Sequence, residues 1–412
     1  MDAPVVRPVE DSESALALLL SAARGAQACG YGAEDTERLV GELAAQLGLS
    51  DVQVSSLPTQ LQLAIGIPGQ QRIVLLRTRP MPVDLDRIVR LDAVAREVMA
   101  GGISPREASV RIDAIGRSTP PYQAWLMVPA YCVAAMGATL IFGEDLPELV
   151  AAGVAGLGVG VVALLRRRVR ELDLTAELLA AALAGFICQT ASARIWPLDP
   201  RVATLAAVVV LLPGFVLTQA VRELQTRNLL SGLAGLGAAA MTFLALVIGG
   251  VLGGRLGVRA WGPARVPEGE DLPAYLLLLG AAALGLAAVV ILRAPRRDAP
   301  IVVGAAVLSA AVSNAVAGWS GSAFGAFVGA LVIGLAAHVV SRLWHRPVWL
   351  VTAPGVLVLV PGSVGYRSLL NLMDRDVATS IETGFQMVLT ALAIVFGLLM
   401  ADVLGARSRS SA

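Results

Sequence analysis

Apolar residues follow two unlike patterns along this chain, and the change falls near Pro120 and Pro121. Before that point they recur among charged residues at helical or alternating spacing. Ser14 to Cys29 and Glu34 to Leu47 show three- and four-residue intervals and predict amphipathic helices, the first capped by Ser12 or Ser14 and followed by Gly30, the second followed by Gly48. Val52 to Ser56, Leu61 to Ile65 and Arg72 to Arg77 predict short strands, separated by Pro58 and then by Gly66, Pro68 and Gly69. Leu85 to Met99 and Pro105 to Ile115 return to helix, with Gly101 and Gly102 as a stop and Ser104 capping a helix that starts on Pro105. The order ααβββαα predicts a small α+β domain over residues 1–120.

After Pro121 the apolar residues run on with no polar face. A helix needs about 20 of them to cross the bilayer core, and ten segments approach that length. They are Tyr122 to Phe142, Pro147 to Leu165, Ala176 to Ala193, Val202 to Val221, Leu229 to Leu252, Pro273 to Leu292, Pro300 to Trp319, Ala323 to Val340, Val348 to about Leu370, and Val377 to Leu404. The third and eighth are short, which leaves nine as the alternative count. The expected fold is an α-helical polytopic membrane protein with an amino-terminal α+β domain.

Composition sharpens this division. Only 15% of the chain is charged and 56% is apolar, against roughly 25% charged in an ordinary soluble domain, and mean hydropathy is +0.72. The first 120 residues nevertheless hold 27 of the 63 charged residues. A net charge of +1 supplies no field to gather nucleic acid. Every basic residue apart from the two histidines is arginine, which points to a GC-rich coding sequence and a bacterial source. Cys29, Cys132 and Cys188 lie far apart, and His338 and His345 are the two histidines, so neither a disulfide framework nor a zinc site is expected, and no cofactor.

Arginine placement sets an orientation. Met1 to Glu13 has neither a basic start nor an apolar run, so no secretory signal is expected there and the first domain is placed in the cytoplasm. Ten spans then put 13 loop and tail arginines inside, including Arg166, Arg167, Arg168 and Arg170, and 7 outside: Arg194, Arg201, Arg255, Arg259, Arg265, Arg367 and Arg375. That bias obeys the positive-inside rule, with both termini cytoplasmic.

A repeat emerges at an offset of 148 residues. Leu211-Leu212-Pro213-Gly214 in the fourth segment matches Leu359-Val360-Pro361-Gly362 in the ninth, and Leu224 and Arg227 match Leu372 and Arg375. Two five-helix units follow, over residues 121–255 and 273–405. Five is odd, so the second must enter the membrane from the opposite side, the inverted architecture of many secondary transporters.

Proline at such a position removes an amide donor and displaces the carbonyl four residues back, here Val209 and Leu357. Broken backbone within a membrane is tolerated where it is buried in protein or lines a cavity. The expected substrate site is therefore built around Pro213, Gly214, Thr218 and Gln219 in one unit and Pro361, Gly362, Ser363 and Tyr366 in the other, with Asn314 as a further buried polar group. A kink that only shapes packing is the competing reading. Glu382 and Glu223 are the candidates for carrying a coupling proton, although Glu223 also reads as an interfacial partner of Arg222 or Arg227. Gly156 with Gly160, and Gly321, Gly325 and Gly329, read as helix-packing positions, and His338 as a packing residue. Asp84, Asp86, Asp92 and Glu97 read as a solvated helix face in preference to a catalytic cluster.

Leu47-Gly48-Leu49, Leu57-Pro58-Thr59 and Gly102-Ile103-Ser104-Pro105-Arg106-Glu107-Ala108 resemble the amino-terminal region of the threonine/serine exporter family. The Leu-Leu-Pro-Gly followed by Val221-Arg222-Glu223-Leu224, and the Val-Pro-Gly-Ser of Val360 to Ser363, resemble its two membrane modules. The resemblance implies export of L-threonine and L-serine from a bacterial cytoplasm across the inner membrane, driven by the proton gradient or membrane potential. The partners expected are the small substrate, protons and membrane lipid, with a homo-oligomer left open. Two-subunit relatives imply dicarboxylate export as the alternative, and a membrane-anchored enzymatic or sensory domain is the alternative from another class. The family's first domain has been thought hydrolase-like, but this chain has no histidine before His338, which excludes a histidine-based centre there.

Overall fold

The computed structural model describes residues 9–49, 52–57, 59–66, 71–78, 81–169, 175–266, 273, 275–359, 362–373 and 376–410. Pro58, Pro68, Gly69 and Pro361 lie outside the described residues. The chain divides into two compact units, one of residues 1–120 with 222–235, the other of 121–221 with 236–412.

The first unit contains α1 (Val9–Ala28), α2 (Ala33–Gln46), β1 (Val52–Leu57), β2 (Gln60–Ile65), β3 (Arg72–Arg77), α3 (Leu85–Met99) and α4 (Pro105–Arg117). The strands form an antiparallel sheet in the order β1-β2-β3, with Val54 opposite Leu63 and Leu63 opposite Val74. Alternation on β2 buries Leu61 and Leu63, and these join Leu18, Leu19, Leu43, Leu85, Ile88 and Leu91, all withdrawn from solvent. Asp84 caps α3 by accepting from the Arg87 amide at 3.2 Å, and Ser104 caps α4 through Glu107 at 3.2 Å. The acidic residues of this region are each held by an arginine: Asp86 by Arg90 at 3.0 Å, Asp92 by Arg96 at 3.2 Å and Glu97 by Arg111 at 2.8 Å.

The second unit is helical throughout. Its helices are α5 (Met127–Phe142, preceded by a 3-10 turn), α6 (Leu146–Arg166), α7 (Ala176–Arg194), α8 (Pro200–Ala207), α9 (Gly214–Gln225, of which Arg222 onward belongs to the first unit), α10 (Leu229–Trp261, of which the part before Leu236 belongs to the first unit), α11 (Tyr275–Ile291), α12 (Ala299–Ser320), α13 (Ser322–Trp344), α14 (Trp349–Leu359), α15 (Gly362–Met373) and α16 (Val377–Ser410). Among the described residues eight spans are long and apolar enough to cross a membrane, and α8 with α9 makes a ninth if that bent pair is one span. The apolar helix α11, at 17 residues, falls just short.

Packing partners recur between the two halves. α5 packs on α6 as α11 does on α12, α6 on α7 as α12 on α13, α6 on α8 as α12 on α14, and α7 on α8 as α13 on α14. Glycine allows the closest of these approaches. A Cβ at Gly249 of α10 would strike the Leu178 carbonyl of α7, and one at Gly397 of α16 would strike the Phe327 carbonyl of α13. Gly257 and Gly405, again 148 apart, lie against Gln189 of α7 and His338 of α13. The first helices of the halves, α5 and α11, meet where Gly137 and Gly280 face each other's carbonyls at 2.6 to 2.7 Å from the Cβ each lacks.

Three glycine readings resolve in detail. Gly156 and Gly160 let α6 lie against Tyr131, Cys132 and Val128 of α5, and Gly325 and Gly329 let α13 lie against Ser313 of α12. Gly321 differs: it turns the chain between α12 and α13 at φ +87 with open space around it, so it is a hinge position and not a packing one.

Candidate functional site

The first Pro-Gly sequence breaks its helix. α8 ends at Ala207, a 3-10 turn covers Val209–Leu211, Leu212 is extended at φ −62, ψ 130, and α9 begins at Gly214 with the axis turned by 54°. Proline disfavours helical backbone in the residue before it, which accounts for the conformation of Leu212. The carbonyl of Val209, expected to be freed for a cation, is instead taken by the Leu212 amide at 3.3 Å in the tight turn. In the second half α14 ends at Leu359 and α15 begins at Gly362. Pro354, inside α14 and followed by Gly355, is a further Pro-Gly pair that the 148-residue match does not include.

α9 and α14 pack together. Phe215, one residue into α9, lies 5.8 Å from Trp349 of α14, and it covers an apolar cluster of Ala326, Ala330, Val356, Leu359, Ile394 and Leu398. Tyr366 of α15 is packed in the cluster that holds Leu205 and Leu212. The start of α9 is thus walled by apolar side chains, and Thr218 spends its hydroxyl on the Gly214 carbonyl at 2.9 Å. Gln219 and Ser363 are half-buried and Gly214 and Gly362 are buried.

A cavity of about 560 Å³ opens elsewhere in the same unit. Its lining comes from α7 (Gln189), the start of α8 (Asp199, Arg201, Thr204), α10 (Gly250, Gly254, Arg255) and α15 (Tyr366). Of the residues expected around the two breaks, Tyr366 alone lines it. Asp199, which accepts from the Arg201 amide at 2.8 Å as the cap of α8, stands at the mouth with the exposed Arg201 and Arg255. Deeper lie Gln189, Thr204 and Tyr366, exposed by 4%, 5% and 1%. Thr204 donates to the Pro200 carbonyl at 2.6 Å, and Gln189 donates through Nε2 to Gly262 at 3.2 Å, leaving its Oε1 available. Tyr366 Oη sits beside Gly250, where a Cβ would come within 2.5 Å of it. Gly250 therefore makes the room in which the phenol reaches the cavity. Arg265 follows in the loop after α10, its amide donating to Ser192 Oγ at 3.0 Å and its guanidinium to the Ala193 carbonyl at 2.8 Å.

Other expected site residues stand apart. Asn314 was expected to be buried and is exposed on α12; Glu382 is exposed on α16. α12 is apolar around almost its whole circumference, so its sequence carries no phase to tell an inward face from an outward one, and the start of α16 is polar on several sides, at Thr379, Ser380, Glu382 and Thr383. Glu223 is 6% exposed and accepts from the Ala33 amide at 3.1 Å, while Arg222 pairs with Glu34 at 3.2 Å. Glu223 is therefore held at the amino terminus of α2, where a helix dipole favours a carboxylate, and its partner is neither Arg222 nor Arg227. His338 bonds to Asp402 of α16 at 3.0 Å.

Sequence reasoning missed Gln189, Thr204, Arg201 and Arg255. They come from three helices at unrelated spacings, and only the position of both arginines among the outside loops hinted at a shared end of the bundle.

Multiple long apolar helices, one of them bent at a Pro-Gly break, beside a cavity with buried hydroxyl and amide groups, define a multi-pass membrane transporter. The chain belongs to the threonine/serine exporter family. It matches that family's "putative threonine/serine exporter" description over residues 17–257 and "Threonine/Serine exporter, ThrE" over residues 277–404. A probable threonine/serine exporter of Mycobacterium tuberculosis is 24% identical over 401 residues, covering 93% of this chain and 75% of the relative. Pheromone-regulated membrane protein 10 of Eremothecium gossypii is 26% identical over 349 residues, 77% of this chain but 46% of that longer protein. No solved structure matches the chain. The family is one of exporters and not of enzymes.

Proposed function

We propose that this chain exports L-threonine and L-serine from a bacterial cytoplasm across the inner membrane, driven by the proton motive force, and that it alternates access between two inverted five-helix units. The observation that carries the substrate reading is the cavity's gradient of chemistry. A zwitterion needs an anion and a cation close together, and Asp199 with Arg201 and Arg255 supplies both at the mouth. A small hydroxylated side chain needs donors and acceptors in an otherwise apolar pocket. Tyr366 Oη, Thr204 Oγ1 and Gln189 Oε1 provide them.

The repeat reading assigns residues 121–255 and 273–405 to the two units, residues 1–120 to a cytosolic domain, and ten helices to the membrane. It is supported by the recurring packing partners and by α9 and α15, which begin 148 residues apart at Gly214 and Gly362 and end 148 apart at Gln225 and Met373. Dicarboxylate export is the second reading. Two arginines at the mouth favour it; Asp199 between them opposes it, since a second carboxylate there costs electrostatic energy.

Uptake of labelled threonine, serine and succinate into inside-out vesicles separates these readings. Threonine and serine should accumulate faster when the lumen is acid, and succinate should not. Succinate uptake without threonine uptake would transfer the proposal to dicarboxylates, and uptake of none would overturn it.

A further inference from the structure

Glu148, in the first turn of α6, is exposed by only 3%. Its Oε1 accepts from the Asp199 amide at 2.9 Å, and its Oε2 is buried with no hydrogen-bond partner. No arginine among the described residues forms an ion pair with it. Asp199 is both the cap of α8, the first half of the broken helix, and a lining residue of the cavity. The carboxylate is thus tied to the backbone that connects the substrate cavity to the moving element.

The second half has a counterpart of different chemistry. Asp298, at the start of α12, is also exposed by 3%, and it pairs with Arg346, three residues before α14, at 3.0 Å, with Arg297 at 3.7 Å. Each half therefore fastens the start of its second helix to the segment that opens α8 or α14 through a buried acid. Each acid keeps one buried oxygen without a hydrogen bond, Oε2 of Glu148 and Oδ2 of Asp298; Asp298 has guanidinium partners, and Glu148 has a backbone amide in their place.

The charges around Glu148 are mostly negative. The α5–α6 turn brings Glu144 and Asp145, α8 brings Asp199 and Arg201, and α15 brings Arg367, which lies 5.4 Å from the Phe142 ring. From α5, residues 124–142 contribute no Asp, Glu or Arg. From α7, Glu177 is bonded to Arg166 at the far end of α6, and Arg194 lies 4.9 Å over Trp261. Glu144, in the turn, has its carboxyl pushed above the usual range by burial first, then by Glu148, Asp199 and Asp145, against the opposing pull of Arg367.

We infer that Glu148 is the proton-binding carboxylate of transport, and that its protonation loosens the α8 amino terminus and so couples proton entry to opening of the cavity. A charged acceptor binds an amide more strongly than a neutral one, so a proton on Oε2 weakens the tie to Asp199. This inference rests on the exporter reading and on its outward placement of the α5–α6 turn. It moves the coupling role from Glu382 and Glu223 to an acid that holds the backbone of a residue lining the cavity.

The test uses the full chain in proteoliposomes with a trapped pH indicator. Threonine movement by the unaltered protein should drive proton movement in the opposite direction. Glu148→Gln should still exchange threonine for threonine within about twofold of the original rate, but move no protons and lose its acceleration by a pH gradient. Asp298→Asn should slow export several-fold and keep proton movement per threonine unchanged. Glu148→Gln with normal proton movement, or folded but without exchange, overturns the inference. If Glu148→Gln fails to fold, Glu148→Asp decides: a displaced pH profile of export supports the role and an unchanged one overturns it. An unaltered protein that exports threonine without moving protons also overturns it while leaving the exporter reading intact; one that moves neither removes that reading itself.

Discussion

Tyr366 is the residue at which the substrate reading is most exposed to test. Its side chain is buried and lines the cavity, and Tyr366→Phe removes the hydroxyl while keeping the ring that packs in the fold. One net hydrogen bond is worth about 0.5–1.5 kcal/mol, which corresponds to an expected rise in KM for threonine of roughly 2- to 12-fold with an unchanged melting temperature. Thr190→Ala, whose hydroxyl is bonded to the Phe186 carbonyl at 2.7 Å, should leave transport as it was. Cys29, in the first unit, gives a pH prediction. Burial, with Asp84 and Asp86 adding to it and Arg87 opposing, pushes its thiol from 9.0 up to about 12. The folded state prefers the protonated thiol, so its contribution to stability is whole below pH 9 and is lost as pH rises toward about 12. Melting curves across that range should fall more steeply for the unaltered protein than for Cys29→Ala; equal slopes would remove the effect.

At the scale of elements, the contact between α7 and α10 depends on glycine. A Cβ at Gly253 would strike the Ala182 carbonyl, whereas one at Gly237, on the same helix, meets nothing within 4 Å. Backbone cannot yield as a side chain does, so Gly253→Ala should cost about 1–3 kcal/mol and lower the melting temperature in detergent, while Gly237→Ala should not. Gly249→Ala and Gly397→Ala should be penalised alike, because each would strike a carbonyl of the third helix of its own half. Pro213→Ala addresses the break. Without proline, Leu212 is free to become helical, α8 and α9 can straighten, and export should be nearly abolished in protein that still inserts. Normal export by that variant would make the break a packing kink.

At the scale of the whole molecule, ten crossings require both termini on one side of the membrane. Reporter fusions at Glu10 and Ser410 should both give a cytoplasmic signal; a periplasmic signal at either one would discard the ten-helix topology. The count turns on α11 and on whether α8 with α9 is one span. α11 is the shortest of the expected crossings, and small residues give it a close seat on α5: Gly280 meets the Gly137 carbonyl, and Gly285 meets Ala306 and Val303 of α12.

Local chemistry determined the elements. Ser104 and Pro105 set the start of α4, proline at 213 set the break, and unbroken apolar runs set the long helices, because caps, missing amides and desolvated backbone act within a few residues of themselves. The 148-residue offset was also legible, since it needs only two matching motifs. What the tertiary structure alone decided was which polar groups share a cavity. Asn314 looked buried because an almost wholly apolar helix gives no sign of which face meets its neighbours. Thr218 lay near the break but turned its hydroxyl to its own helix. Gln189, Thr204 and Tyr366 meet because α7, α8, α10 and α15 are brought together by glycine contacts. That convergence depends on close packing between distant segments, and no spacing along a single chain encodes it.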